Sequence, residues 1–92
     1  MLERDVEQFL RKKVIEAGGM CLKWTCPQHR GVPDRIVMLN KQVWFVEVKS
    51  PTGQLSKLQM EFAEELIRQG FNFAMVNSKE SAIKLIARIR HA

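Results

Sequence analysis

Two charged residues interrupt an otherwise apolar run. In Val43-Trp44-Phe45-Val46-Glu47-Val48-Lys49 an acid and an amine stand two positions apart. In an extended strand that spacing puts both side chains on one face, roughly 7 Å apart. Apolar neighbours on both sides mean that a carboxylate at this position loses water, which is costly unless it is paired or binds a metal ion. On an edge strand with one wet face the same pair would simply be solvated, so Glu-x-Lys alone is a weak signal. A second acid strengthens it. Gly31-Val32-Pro33-Asp34 places Asp34 just before Arg35–Leu39, which reads as the antiparallel partner of the Glu47 strand. Counting back through a turn at Asn40-Lys41 brings Asp34 and Glu47 to the same edge of a hairpin. Pro-Asp by itself is an ordinary turn initiator. At hairpin spacing, however, two carboxylates and an ammonium converge, and hard oxygen donors with open water positions suit Mg²⁺ or Mn²⁺.

Other residues bear on the same site. Gln59 falls within the apolar stripe of the following helix, beside Leu58 and flanked by Leu55, Phe62 and Ala63. It can point inward at the sheet, or it can close a capping box with Ser56 as N-cap; the two roles are compatible. Glu3 and Glu7, one turn apart in the first helix, are also available. Periodicity does not choose between them, and acids in a first turn are often only partners of the helix dipole. Cys21, Cys26 and His29 lack the second close pair that a structural zinc site needs, so two reduced cysteines are the better reading.

The elements that must position these residues are legible as patterns. Leu2 to Ala17 carries Leu2, Val6, Phe9, Leu10 and Val14 at helical spacing and is stopped by Gly18-Gly19. Met20, Leu22 and Trp24 alternate with Cys21, Lys23 and Thr25 as in a strand. A polar loop from Cys26 to Pro33 leads into Arg35–Leu39 and, past the turn, Val43–Lys49. A helix is expected from about Leu55 to Gln69, with Leu55, Leu58, Phe62, Leu66 and Ile67 facing the sheet. Phe71–Val76 reads as a fourth strand and Lys79–Arg90 as a closing helix. The order αβββαβα predicts an α/β (α+β) fold. It consists of a small mixed sheet flanked by helices, with an antiparallel meander and a fourth strand made parallel by its helical crossover.

Length and charge bound the rest. Ninety-two residues make one domain, 1–92, and 15 Lys+Arg against 10 Asp+Glu give a net charge of +5, which favours an anionic partner. A hydrophobic content of 46% excludes a disordered chain. No apolar run approaches the ~18 residues of a membrane span, and the start lacks a secretion signal. An intracellular, non-membrane protein is expected.

Gly31-Val32-Pro33-Asp34, then Glu47-x-Lys49 thirteen positions on, then Gln59, resembles the PD-(D/E)xK nuclease signature. The likeness is strongest to the VRR-NUC (virus-type replication-repair nuclease) branch. It extends to Val6-Glu7, Gly18-Gly19, Lys23 and Arg35, and so spans nearly the whole chain. The resemblance implies a restriction-endonuclease-like core and a metal-dependent DNA endonuclease. Such an enzyme would be structure-selective on branched DNA such as Holliday junctions or flaps, and would act as a homodimer. It implies Asp34 and Glu47 as ligands of Mg²⁺ or Mn²⁺, the Val48 carbonyl as a further ligand, and Glu7 reaching the metal directly or through water. Lys49 would orient or activate the attacking water, with Gln59 beside it. The stand-alone members that this chain resembles are phage and bacterial, which places it in a bacterial host cytoplasm. The segment Ser50–Gln54 is less basic than the pattern leads one to expect. Lys23, Arg30, Arg35 and Lys57 are the candidate phosphate contacts, and sheet-edge or closing-helix residues the candidate dimer surface.

Two other readings compete. A non-catalytic nucleic-acid-binding module of the same fold would not need Asp34, Glu47 and Lys49 together. A site-specific restriction-type enzyme would need a segment for reading base edges, and none remains.

Overall fold

The computed structural model describes residues 1–92. The chain runs α1 (Glu3–Glu16), β1 (Met20–Lys23), β2 (Arg35–Leu39), β3 (Gln42–Val48), α2 (Lys57–Arg68), β4 (Asn72–Val76) and α3 (Lys79–Arg90). The strands form one sheet in the order β1-β2-β3-β4. The first three pair antiparallel and β4 lies parallel to β3. A parallel neighbour needs a crossover, which α2 supplies. This is the small mixed α+β architecture expected from the element order.

The β2–β3 turn sets the register of the site. Asn40 and Lys41 both adopt left-handed backbone, with φ of 53° and 61°. Two consecutive residues of that kind make the tight turn whose twist matches a hairpin. Leu39 therefore pairs with Gln42, and Arg35 with Val46. One residue further, Asp34 stands opposite Glu47. The turn is tied down from behind: the Asn40 side-chain amide donates to the Ile89 carbonyl at 2.8 Å, near the end of α3.

One face of the sheet is fully covered. Val6, Leu10 and Val14 of α1 and Ala82, Leu85, Ile86 and Ile89 of α3 pack onto Val37, Trp44, Val46, Val48 and Val76, forming a single core. The opposite face is covered only in part. There α2 meets the sheet chiefly along β4, and an aromatic cluster fills the gap. Trp24 packs in tilted contact with Phe45 and Phe62 at centroid distances of 5.3 and 5.9 Å, and Phe45 meets Phe71 edge-on at 6.2 Å. The apolar stripe of α2 is consequently narrower than its sequence suggests. Ala63 and Leu66 are buried, whereas Leu58 and Ile67 are 46% and 59% exposed. A helix resting along one edge strand can bury only the residues that point straight down.

The loop before Asp34 is laid against α2 at Gly31. Its φ is +87°, and a Cβ there would stand 2.9 Å from the Leu58 carbonyl oxygen. Both the backbone conformation and the close approach favour glycine. Gly31→Ala is expected to cost about 2–3 kcal/mol in urea unfolding. Gly70→Ala, with the same φ but nothing within 4 Å, should cost about 1 kcal/mol. Equal losses would show that contact with α2 plays no part in holding the loop.

Candidate active site

At the C-terminal end of β3 the chain buries a charge. Glu47 is 2% exposed and is the buried carboxylate of the fold. Val46 and Val48 on either side of it point into the core, and strand alternation therefore points Glu47 at the half-covered face, against the start of α2. One oxygen, Oε2, is held twice: it accepts from Gln59 Nε2 at 2.9 Å and faces Lys49 Nζ at 3.3 Å. The other, Oε1, is buried and has no hydrogen-bond partner. Asp34, on the neighbouring strand end, accepts from the Val48 backbone N–H through Oδ2 at 2.9 Å. That bond clips the start of β2 to the end of β3 beyond the last paired residues.

Burial pushes Glu47 up to about 7 from its ordinary 4.5, and the nearby Asp34 carboxylate adds to the rise, while Lys49 opposes it. One ammonium does not neutralise two carboxylates in a site with this little water. An orphaned, desolvated carboxylate oxygen beside a second acid is the arrangement that a small divalent cation completes, with water filling the remaining positions. Asp34, Glu47 and the adjacent Val48 carbonyl are the oxygen donors that fit such an ion.

Gln59 fulfils both roles left open by its sequence. Its backbone N–H donates to Ser56 Oγ at 3.2 Å, and its Oε1 accepts from the Ser56 N–H at 2.8 Å, closing the capping box at the start of α2. With its oxygen committed to Ser56, the amide can present only its NH₂ group to Glu47. The helix cap thus sets the polarity of the contact with Glu47. The Ser56 N–H that donates to the Gln59 oxygen is the N-cap partner that the S-x-x-Q spacing predicts.

A second charge cluster lies on the other side of the sheet. Glu7 Oε2 accepts from Arg35 Nε at 2.7 Å and lies 3.6 Å from Lys23 Nζ, while Arg35 Nη1 donates to the Cys21 carbonyl at 3.3 Å. Strand alternation explains the split. Asp34 points with Glu47, so Arg35, the next residue, points towards α1. Arg35, expected to contact DNA phosphates, is only 14% exposed and is tied into the fold by Glu7. Of the two first-helix acids, Glu3 is exposed and Glu7 is the inward one, but Glu7 is spent on Arg35 rather than gathered with Asp34 and Glu47. No three His, Cys, Asp or Glu side chains stand together as a ready-made metal cluster. Lys23 is 64% exposed, and Arg30 and Lys57 are exposed on the loop and α2 side of the site. Burial pushes the Cys21 thiol up, which keeps it protonated.

Three comparisons bear on this geometry. The sequence profile of the VRR-NUC domain matches residues 4–80. A protein of Acyrthosiphon pisum secondary endosymbiont phage 1, named "Putative nuclease p44", is 33% identical over 79 residues, covering 85% of each chain. A solved structure described as a VRR-NUC domain superposes with a TM-score of 0.85 at 28% identity, covering 92% of this chain and 94% of that one.

The raised Glu47 gives a signed pH dependence. Between 4.5 and about 7 the folded protein holds a proton that the unfolded chain has released, so stability falls as pH rises through that window. In chelator, unfolding free energy is expected to drop by something on the order of 3 kcal/mol from pH 5 to pH 8. Glu47→Gln should flatten the drop. Scanning calorimetry across that range tests it; a wild-type profile as flat as that of the variant would show that Glu47 is not strained by burial.

Proposed function

Since the chain belongs to the VRR-NUC domain family, we propose that it is a nuclease that hydrolyses phosphodiester bonds of DNA with Mg²⁺ or Mn²⁺. Its substrate would be branched DNA such as a Holliday junction or flap, cut by a homodimer. The observation that carries this reading is Glu47: buried, half-partnered, and facing Asp34 and Lys49. A protein that only bound nucleic acid would have no use for a carboxylate kept at such cost.

The chemistry follows from the residues. Asp34, Glu47 and the Val48 carbonyl would hold the divalent ion, which when bound supplies Lewis acidity and lowers the pKa of its water. Gln59 fixes the orientation of Glu47 from the α2 cap. Lys49 directs the attacking water and offsets negative charge as it builds on the phosphate oxygens, in a site dry enough for one ammonium to count. Water adds to phosphorus, the bond to the leaving ribose oxygen breaks, and that oxygen takes up a proton. Lys23, Arg30 and Lys57 remain as exposed phosphate contacts, which recognise backbone shape rather than base edges. No helix is long and apolar enough to cross a membrane, and the phage relative fits action in a host cytoplasm.

The test is cleavage of a four-way junction, a flap and plain duplex in Mg²⁺ or Mn²⁺, with and without chelator. Chelator is expected to abolish cutting, and the branched substrates to be cut preferentially. Asp34→Asn and Glu47→Gln should eliminate activity, and Lys49→Ala should lower it by about 10²–10³-fold, each with DNA binding retained. Activity that survives Glu47→Gln would overturn the mechanism, and equal cutting of all three substrates would overturn the branched-DNA preference. In the same buffer, Mn²⁺ should raise the melting temperature of wild type but not that of Glu47→Gln.

A further inference from the structure

The half-covered face of the sheet is apolar well beyond what α2 and the aromatic cluster cover. Met20 and Leu22 of β1, Met38 of β2, Val43 of β3 and Phe71 just before β4 all point to this side, with exposures of 53, 40, 38, 45 and 54%. They are contiguous: Met20 pairs with Met38, and Met38 with Val43. Phe71 stands one step before the Trp44–Asn72 pair, next to Val43. Half-buried Ile36 and Phe45 continue the patch towards the site. A shallow cavity of about 440 Å³ bordered by Gly19, Met20, Met38 and Val43 indents its far end. The alternation in β1 shows the same thing from the sequence side. The residue buried against the core is Cys21, while the larger apolar pair, Met20 and Leu22, faces out.

We infer that this open sheet face is where a second copy of the chain docks. The five side chains leave on the order of 400 Å² of apolar surface in water, taking about 200 Å² for a fully exposed large side chain. That reaches the range of the largest patches on monomers. It also matches the apolar share, a little over half, of the ~800 Å² that each partner gives to a standard interface. Charge favours an identical partner over the substrate. The strand positions of this face from Met20 to Phe45 carry no ionised side chain, the one nearby charge being Lys41 in the turn that borders the cavity, so the face itself offers nothing to phosphates. It is also the part of a +5 protein where two copies meet without repulsion. A two-fold pairing would lay Met38 and Val43 against their equivalents, and flexible methionines suit a surface that must fit itself. The inference rests on the homodimer in the reading above and replaces the sheet edge and closing helix as its location.

Two measurements test it. The mass in solution by light scattering should be twice the 10.7 kDa of the chain. Met38→Glu or Leu22→Glu should weaken the dimer about 100-fold or more by burying an unpaired charge. Ile83→Glu, at a 53% exposed position of α3 on the opposite side, should leave it dimeric. On unmodified protein, peroxide oxidation read by mass spectrometry should be slower at Met20 than at Met60, although in the single chain Met20 is the more exposed of the two, 53% against 45%. A monomer, a dimer broken by Ile83→Glu but not by Met38→Glu, or oxidation of Met20 as fast as that of Met60 would each overturn the inference. A dimer on this face that cuts no DNA would overturn the nuclease reading and leave the interface standing. A monomer that cuts DNA would leave the hydrolytic reading standing and remove both the interface and the homodimer.

Discussion

A carboxylate taken out of water at the end of β3 constrains much of this small protein. Glu47 has lost its hydration against the start of α2, and what replaces it is incomplete: one amide, one ammonium and an unfilled oxygen. Buried charge without full partners is destabilising. It persists here because several elements fix it. The left-handed turn at Asn40-Lys41 sets the register that puts Asp34 opposite Glu47. The Asp34–Val48 bond closes the strand ends. The Ser56 cap points the Gln59 amine at the carboxylate. Each is a local structure with its own reason to form, and their common product is a site short of positive charge.

Strand alternation then separates two kinds of ion pairing that look alike in the sequence. On the side of α2, Glu47 and Lys49 form a pair that a cation can enter. On the side of α1, Glu7 and Arg35 form a pair with good geometry that also reaches the Cys21 carbonyl, and it acts as a clasp between helix and sheet. The two clusters are one residue apart at the start of β2, at Asp34 just before it and Arg35 its first residue. A one-residue slip of the hairpin would exchange them and destroy the site.

The coverage of the sheet is equally uneven. Two helices close one face into a core of valine, leucine and isoleucine, while a single short helix leans on the edge of the other. The uncovered part is not polar, as a solvent-facing sheet normally is, but apolar across three strands. Its apolar character, rather than its extent alone, is what sets this face apart from a solvated sheet surface.

From the sequence alone the element order, the turn, the mixed sheet and the meeting of Asp34, Glu47, Lys49 and Gln59 could all be read, because each follows from spacing along the chain: period 2, period 3.6, and the count across a hairpin. What spacing cannot carry is which long-range surfaces meet. That Arg35 is clasped by Glu7, 28 residues away, depends on where α1 crosses the sheet. That Leu58 and Ile67 stay in water, and that Met20, Leu22, Met38 and Val43 face outward together, depends on α2 covering one edge strand rather than the whole face. Periodicity tells a strand which residues share a side. Only the packed fold decides what, if anything, lies against it.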